Sequence, residues 1–191
     1  MGILSPEALQ RMGFESVGKD PAISDRASFY GVSKIALGDR VRIDDFCVLS
    51  AGSGGIAVGR NVHIAVFSSL IGAGRITLGD FSNISSRVSI YSSSDDYSGA
   101  TMTNPTVPSE YKNVKHADVV IGRHVIIGCG SVILPGVTLE EGVAVGALTL
   151  IRTDCAAFGI FAGNPARRIG GRRRDLLELE CQFRKNTAPS R

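Results

Sequence analysis

The stretch Val119-Val120-Ile121-Gly122-Arg123-His124-Val125-Ile126-Ile127-Gly128-Cys129-Gly130-Ser131-Val132-Ile133 sets an isoleucine at every sixth position. The period runs on through Leu139, Val145 and Ile151. Upstream it continues in three shorter runs: Leu37, Ile43, Leu49; Val58, Ile64, Leu70; and Leu78, Ile84, Ile90. Two residues before each lies a second aliphatic or small residue, among them Ile35, Val41, Cys47, Ser68, Ser82, Val125, Ser131 and Thr149. Inward residues two apart, with one outward residue between them, are the alternation of a strand. A period of six does not fit a helix of 3.6 residues per turn.

Gly or an acid follows many of the large aliphatics, as in Leu37-Gly38-Asp39, Val58-Gly59, Leu78-Gly79-Asp80 and Ile121-Gly122. These read as turns, where tight or left-handed backbone is tolerated. Three hexads close one three-sided coil of about 18 residues. Five such coils are expected, at 35–52, 56–75, 76–93, 119–136 and 137–154, after a partial coil at Ile23 and Phe29. Stacked at about 4.8 Å, they make a prism roughly 24 Å tall.

The expected organisation is a lead-in over 1–20, a β-helix over 21–155 with a loop inserted at 93–118, and a C-terminal segment over 156–191. Ser5-Pro6-Glu7 is an N-cap, a first-turn proline and an early acid, opening a short helix to about Met12. Residues from about 172 to 185 carry Leu176, Leu179 and Phe183 on one side, an amphipathic helix expected to cover the last coil, with a flexible tail after it.

The totals exclude several classes. The net charge of +3 is too small for a committed nucleic-acid binder. No signal peptide and no apolar run of membrane-spanning length is visible. Cys47, Cys129, Cys155 and Cys181 form no C-x-x-C pair, so neither a disulfide framework nor a zinc knuckle is expected. Together these favour a soluble protein of a reducing cytoplasm.

The repeat resembles the hexapeptide-repeat acyltransferases. Arg42-Ile43-Asp44-Asp45-Phe46-Cys47, Val62-His63-Ile64-Ala65, the stretch Ile90 to Gly99, Tyr111 to His116 and Ala162-Gly163-Asn164-Pro165-Ala166 are similar to a subgroup often placed in surface-polysaccharide synthesis. The resemblance runs from about Phe14 to Phe183. It implies an all-β fold, a left-handed parallel β-helix. It also implies a homotrimer with sites between neighbouring prisms, toward which one subunit's loop reaches. The implied activity is transfer of an acetyl group from acetyl-CoA to a sugar hydroxyl or amine, with both substrates bound together and no metal. One departure stands out. Where galactoside, maltose and xenobiotic acetyltransferases open the loop with a catalytic histidine, this chain has Asp95. Their acceptor-binding asparagine falls at Ala65.

Acyl transfer needs a proton acceptor, and histidine suits neutral pH. His116 ends the long loop. His63 points outward between Val62 and Ile64, with Arg42 and Asn83 at matching places on adjacent coils, and its motif resembles the His-Ile-Ala of sialic-acid and bacillosamine acetyltransferases. Either histidine fits the role of base, while His124 reads as a structural turn residue. Asp95 and Asp96, with Tyr97 beside them, could orient a histidine, hold the acceptor or cap the loop. An aspartate is too weak a base for an alcohol but suffices for a sugar amine, which tilts the reading toward an amino sugar. For CoA, the resemblance points to Cys129, Ala147, Thr149, Arg152 and Arg167, with Arg168 and Arg172 as neighbours. Arginine suits phosphate through its fork of donors. Two other readings of the same fold remain open at this stage: a metalloenzyme like the γ-type carbonic anhydrases, and a non-catalytic scaffold.

Overall fold

A computed structural model describes residues 2–187. Three parallel sheets wrap into a three-sided prism. Face one carries six strands, among them Ile35–Leu37, Ile56–Val58, Ile76–Leu78 and Val119–Ile121. Face two includes Arg42–Ile43, His63–Ile64, Asn83–Ile84, Ile126–Ile127 and Ala144–Val145. Face three includes Val48–Ala51, Ser69–Gly72, Ser89–Tyr91 and Val132–Ile133. Each coil pairs in register with the next, so Ile43 lies beside Ile64 and Ile64 beside Ile84.

Both series of sixes point inward. Ile43, Ile64, Ile84, Ile90, Ile127 and Ile133 are fully buried. Two inward serines bond to carbonyls of the next coil, Ser68 Oγ to Ser85 O and Ser131 Oγ to Gly146 O, both at 2.9 Å, while the buried Ser82 hydroxyl has no partner among the described residues. These short bonds offset the cost of burying a hydroxyl.

The glycines after the aliphatics have a different reason from the expected one. Gly38, Gly59, Gly79 and Gly122 do not take left-handed backbone; a Cβ at Gly38 would lie 2.6 Å from Gly59 C, and one at Gly79 would lie 2.7 Å from Arg123 N. Close stacking of backbones requires them. The positive φ falls two residues later, at Arg40, Asn61, Phe81 and His124. The acids in these turns bond to amides of the preceding coil, as Asp39 Oδ1 accepts from Lys19 N and Asp80 Oδ1 from Arg60 N.

The partial coil at Ile23 and Phe29 is a whole one. Ser16–Val17 supplies its face-one strand beside Ala36 and Leu37, giving six coils. Helix α1, Pro6–Met12, caps that end with Leu9 buried, and Ser5 Oγ accepts from Ala8 N at 3.2 Å.

The other end differs from expectation. The last coil's edge on face two is covered by Gly159–Ala162, and Arg167–Gly171 pairs antiparallel to it. Arg172 N still bonds to Phe158 O, so the C-terminal helix α2 starts only at Asp175 and runs to Thr187. It lies along the corner between faces one and two rather than over the last coil. Glu180 holds it there, within 2.5 Å of Arg123 Nη2 and 2.6 Å of His124 Nε2, while Phe183 meets Phe81 edge-on at 5.9 Å. The expected tail lies outside the described residues. Among the described residues, no helix is long and apolar enough to cross a membrane.

The insertion is an ordered excursion. Its neck is a pair of antiparallel strands, Ser93–Ser94 and Lys115–His116, with a 3-10 turn at Ser109–Tyr111.

Candidate active site

The outward places of face two hold one contiguous polar ladder. Arg42, His63 and Asn83 lie side by side in register, as the spacing predicts. A residue without an assigned role, Asp44, ties them together. Its Oδ1 accepts from Arg42 Nε at 2.8 Å, and its Oδ2 lies 2.8 Å from His63 Nε2. On the other side His63 Nδ1 lies 3.2 Å from Asn83 Oδ1. Burial on its own would raise the Asp44 carboxyl, but hydrogen bonds from His63 and Arg42 outweigh it and hold the group below its usual range. Both ring nitrogens face oxygen acceptors, so a proton kept on Nε2 by Asp44 leaves Nδ1 open to chemistry once the Asn83 amide turns its oxygen away.

Beyond Asn83 the same ladder turns apolar, through Ile126, Ala144 and Ile160. The corner between faces two and three carries an aromatic column. Phe46 and Phe67 stack at 5.1 Å, with the guanidinium of Arg26 over Phe46 and that of Arg87 over Phe67. The two residues are 46% and 49% exposed.

The loop candidates stand elsewhere. The chain visits faces one, two and three in turn, and the loop leaves after Ser89–Tyr91 on face three and returns to Val119–Ile121 on face one. Its root is therefore at the corner opposite face two. His116 and Asp95 do not meet His63 within one chain. His116 is exposed, with Nδ1 2.7 Å from Ser93 Oγ. Asp95 is half-buried at the neck. Asp96 caps the loop, accepting from Ser98 N at 2.8 Å and Thr101 Oγ1 at 3.1 Å, and these bonds lower its carboxyl. Tyr97 is 93% exposed.

The candidates for CoA also divide. Cys129 and Ala147 are exposed on successive coils at the corner between faces two and three, where Leu148 N bonds to Cys129 O at 2.8 Å. Arg167 follows Ala166, whose amide bonds to Leu150 O, and it is exposed like Arg168 and Arg152. Thr149 points inward, its Oγ1 taken by Gly163 N at 3.2 Å. Arg172 is half-buried and donates to His124 O at 2.6 Å and Gly142 O at 3.1 Å, so it braces the helix corner.

The three histidines do not converge as a zinc site requires. His63 is held by Asp44, His116 by Ser93, and His124 by Glu180 while stacked on Phe81 at 5.1 Å. Among the described residues, no group of three or more His, Cys, Asp or Glu is placed to hold a metal ion.

A stacked hexapeptide prism with an outward histidine–carboxylate pair beside an apolar strip defines a β-helix transferase. The Bacterial transferase hexapeptide (six repeats) family matches residues 118–153. The chain is 56% identical over 184 residues to the dTDP-4-amino-4,6-dideoxy-D-glucose acyltransferase of Escherichia coli, covering 96% of each chain. A serine-to-alanine variant of AntD, an N-acyltransferase from Bacillus cereus solved with dTDP-4-amino-4,6-dideoxyglucose and coenzyme A, is 43% identical with a TM-score of 0.93 over 97% of this chain and 99% of that one. AntD with dTDP and 3-hydroxybutyryl-CoA is 44% identical with a TM-score of 0.92, over 96% and 97%. The chain belongs to the hexapeptide-repeat acyltransferases, and it is an acyl-CoA-dependent sugar acyltransferase.

Proposed function

We propose that this chain moves an acyl group from acetyl-CoA or a related acyl-CoA to the amino group of a nucleotide-linked amino sugar. The observation that carries the reading is the Arg42–Asp44–His63–Asn83 ladder, a histidine–carboxylate pair beside an apolar strip on one face. The acceptor that the Escherichia coli relative is named for, and the sugar nucleotide bound to AntD, support a 4-amino-4,6-dideoxyhexose.

In the proposed reaction the free amine attacks the thioester carbonyl, forming a C–N bond. The amine's proton passes to His63 Nδ1, with Asn83 turning aside. The tetrahedral intermediate collapses with cleavage of the C–S bond, and the departing CoA thiolate takes the proton from His63. The imidazolium is stabilised meanwhile by Asp44, itself held by Arg42. The pantetheine arm runs along the corner marked by Cys129 and Ala147, and Arg167 and Arg168 take its phosphates.

The active assembly in this reading is a homotrimer in the cytoplasm, where acyl-CoA is available. The loop root lies across the prism from face two, so a site holding both the ladder and Asp95 needs loop and ladder from different copies. Asp95 then meets the acceptor amine.

Thiol release from acetyl-CoA, measured against a dTDP-linked 4-amino-4,6-dideoxyhexose, the corresponding 4-hydroxy sugar nucleotide and simple glycosides, tests the reading. Turnover confined to the amino sugar nucleotide is expected. Equal turnover of simple glycosides would refute it.

A further inference from the structure

The side chain of Asn83 is tethered only through His63. Its backbone is fixed, with Asn83 N bonded to Val125 O at 2.9 Å and the residue in register between His63 and Ile126. Its amide meets His63 Nδ1 at 3.2 Å and has no other hydrogen-bond partner among the described residues. On its far side Ile126 offers no polar side-chain atom. Nothing else holds the amide in one orientation.

The opposite edge of the ring is pinned. Arg42 Nε and His63 Nε2 both bond to the Asp44 carboxylate, and those bonds hold it below its usual range. Arg42 and Asp44 are the charged groups facing the ring. An ionised carboxylate only accepts, so Nε2 carries a proton whether the ring is neutral or charged. The change of ring charge is therefore confined to Nδ1, the atom that Asn83 faces.

An amide has two ends of nearly equal shape and opposite chemistry, a carbonyl oxygen that accepts and an NH2 that donates. A charged ring presents Nδ1–H and needs the oxygen. A neutral ring presents a lone pair there and needs the NH2, because an oxygen facing that lone pair is repelled. Aspartate in the same shape supplies the first end alone, and leucine supplies neither.

We infer that Asn83 is a positioning residue whose amide turns with the charge of His63. In the resting enzyme Asn83 Nδ2–H donates to Nδ1 and holds the neutral ring in place. The acceptor's amine displaces that bond and passes its proton to Nδ1. Asn83 Oδ1 then takes the new Nδ1–H, so oxygens hold the imidazolium on both sides, Asp44 at Nε2 and Asn83 at Nδ1. Loss of the proton to the departing thiolate returns the amide to its first orientation. The inference rests on the reading of His63 as proton acceptor and deepens it.

Two measurements test it. Neutron diffraction from deuterated wild-type crystals, without substrates and at pH values on either side of the ring's titration, tells amide nitrogen from oxygen. Oδ1 should face Nδ1 where the ring carries two deuterons, and Nδ2 should face it where the ring carries one. The same end facing the ring in both charge states overturns the inference. Steady-state kinetics with the dTDP-linked amino sugar and acyl-CoA then compare wild type with Asn83→Asp and Asn83→Leu, each checked for an unchanged thermal melt. kcat should fall by about ten- to a hundredfold in both, as for loss of a hydrogen bond to a charged group, with KM for either substrate unchanged. Full kcat in either variant overturns the inference. So does a loss confined to acceptor KM, which would make Asn83 a substrate contact. Wild type that acylates no nucleotide-linked amino sugar would sink the functional reading instead, while the diffraction arm would still judge the amide.

Discussion

His63 Nε2 lies 2.8 Å from Asp44 Oδ2, and the two residues come from successive coils. The pair is made by the stacking itself. Asp44 sits two places beyond Arg42, which pairs with His63 in register. The charged groups facing the ring are Asp44 and Arg42 from one coil, and the next coil supplies neutral Asn83.

Asp44→Asn keeps the shape and removes the charge. Acyl transfer should fall by about a hundredfold, within the range for general base catalysis. Asp44→Glu should recover part of the rate. Equal rates for wild type and Asp44→Asn would separate Asp44 from the chemistry.

Glu180 predicts a pH-dependent stability. Burial would raise its carboxyl, but bonds from His124, Arg184 and Arg123 bring it down to about 2 from an ordinary 4.5. A depressed carboxyl stabilises the fold above its unfolded pKa and loses that contribution as pH falls from about 4.5 through about 2. Glu180→Gln should cost about 1.5–3 kcal/mol at neutral pH. Denaturant melts across pH 5 to 2 should fall less steeply for this variant than for wild type. Parallel pH slopes would show that the clamp does not carry the linkage.

Phe46 and Phe67 are exposed at the border of face two, and in the proposed homotrimer they would contact a neighbouring copy. Phe67→Asp should shift sedimentation from trimer toward monomer with the circular dichroism unchanged, since the left-handed backbone at this corner (φ 63°) accepts aspartate. A persistent trimer would place the interface elsewhere.

In the column's interior, Ile84 is fully buried between Ile64 and Ile127. Ile84→Ala should destabilise by about 2–5 kcal/mol, read from urea melts. A loss well under 1 kcal/mol would mean that the coils relax around the void more than the stacked register allows.

The aliphatic sixes were legible because each inward side chain repeats one local rule. The Arg42–His63–Asn83 ladder was legible for the same reason, since outward places on successive coils must align. Asp44 carried a usable signal too, two residues past an aligned outward place, but only coil geometry turns that offset into a contact. The glycines misled because a turn and a close backbone approach leave the same residue in a sequence. The strand at Arg167–Gly171 has no alternation to betray it, being rich in arginine and glycine. Helix α2 was visible as an amphipathic segment, yet its berth depends on Glu180 meeting Arg123 and His124, more than fifty residues earlier. Hydrophobic periodicity does not encode such a pairing.

The most direct test of a site shared between copies is complementation. His63→Ala, which lacks the proposed proton acceptor on face two, and Asp95→Ala, which lacks the loop acid, should each release little thiol from acetyl-CoA when purified alone. Coexpressed, they should form mixed trimers in which some sites join an intact ladder to an intact loop, and thiol release should rise well above that of either parent. Mixed trimers as inactive as their parents would contradict the account.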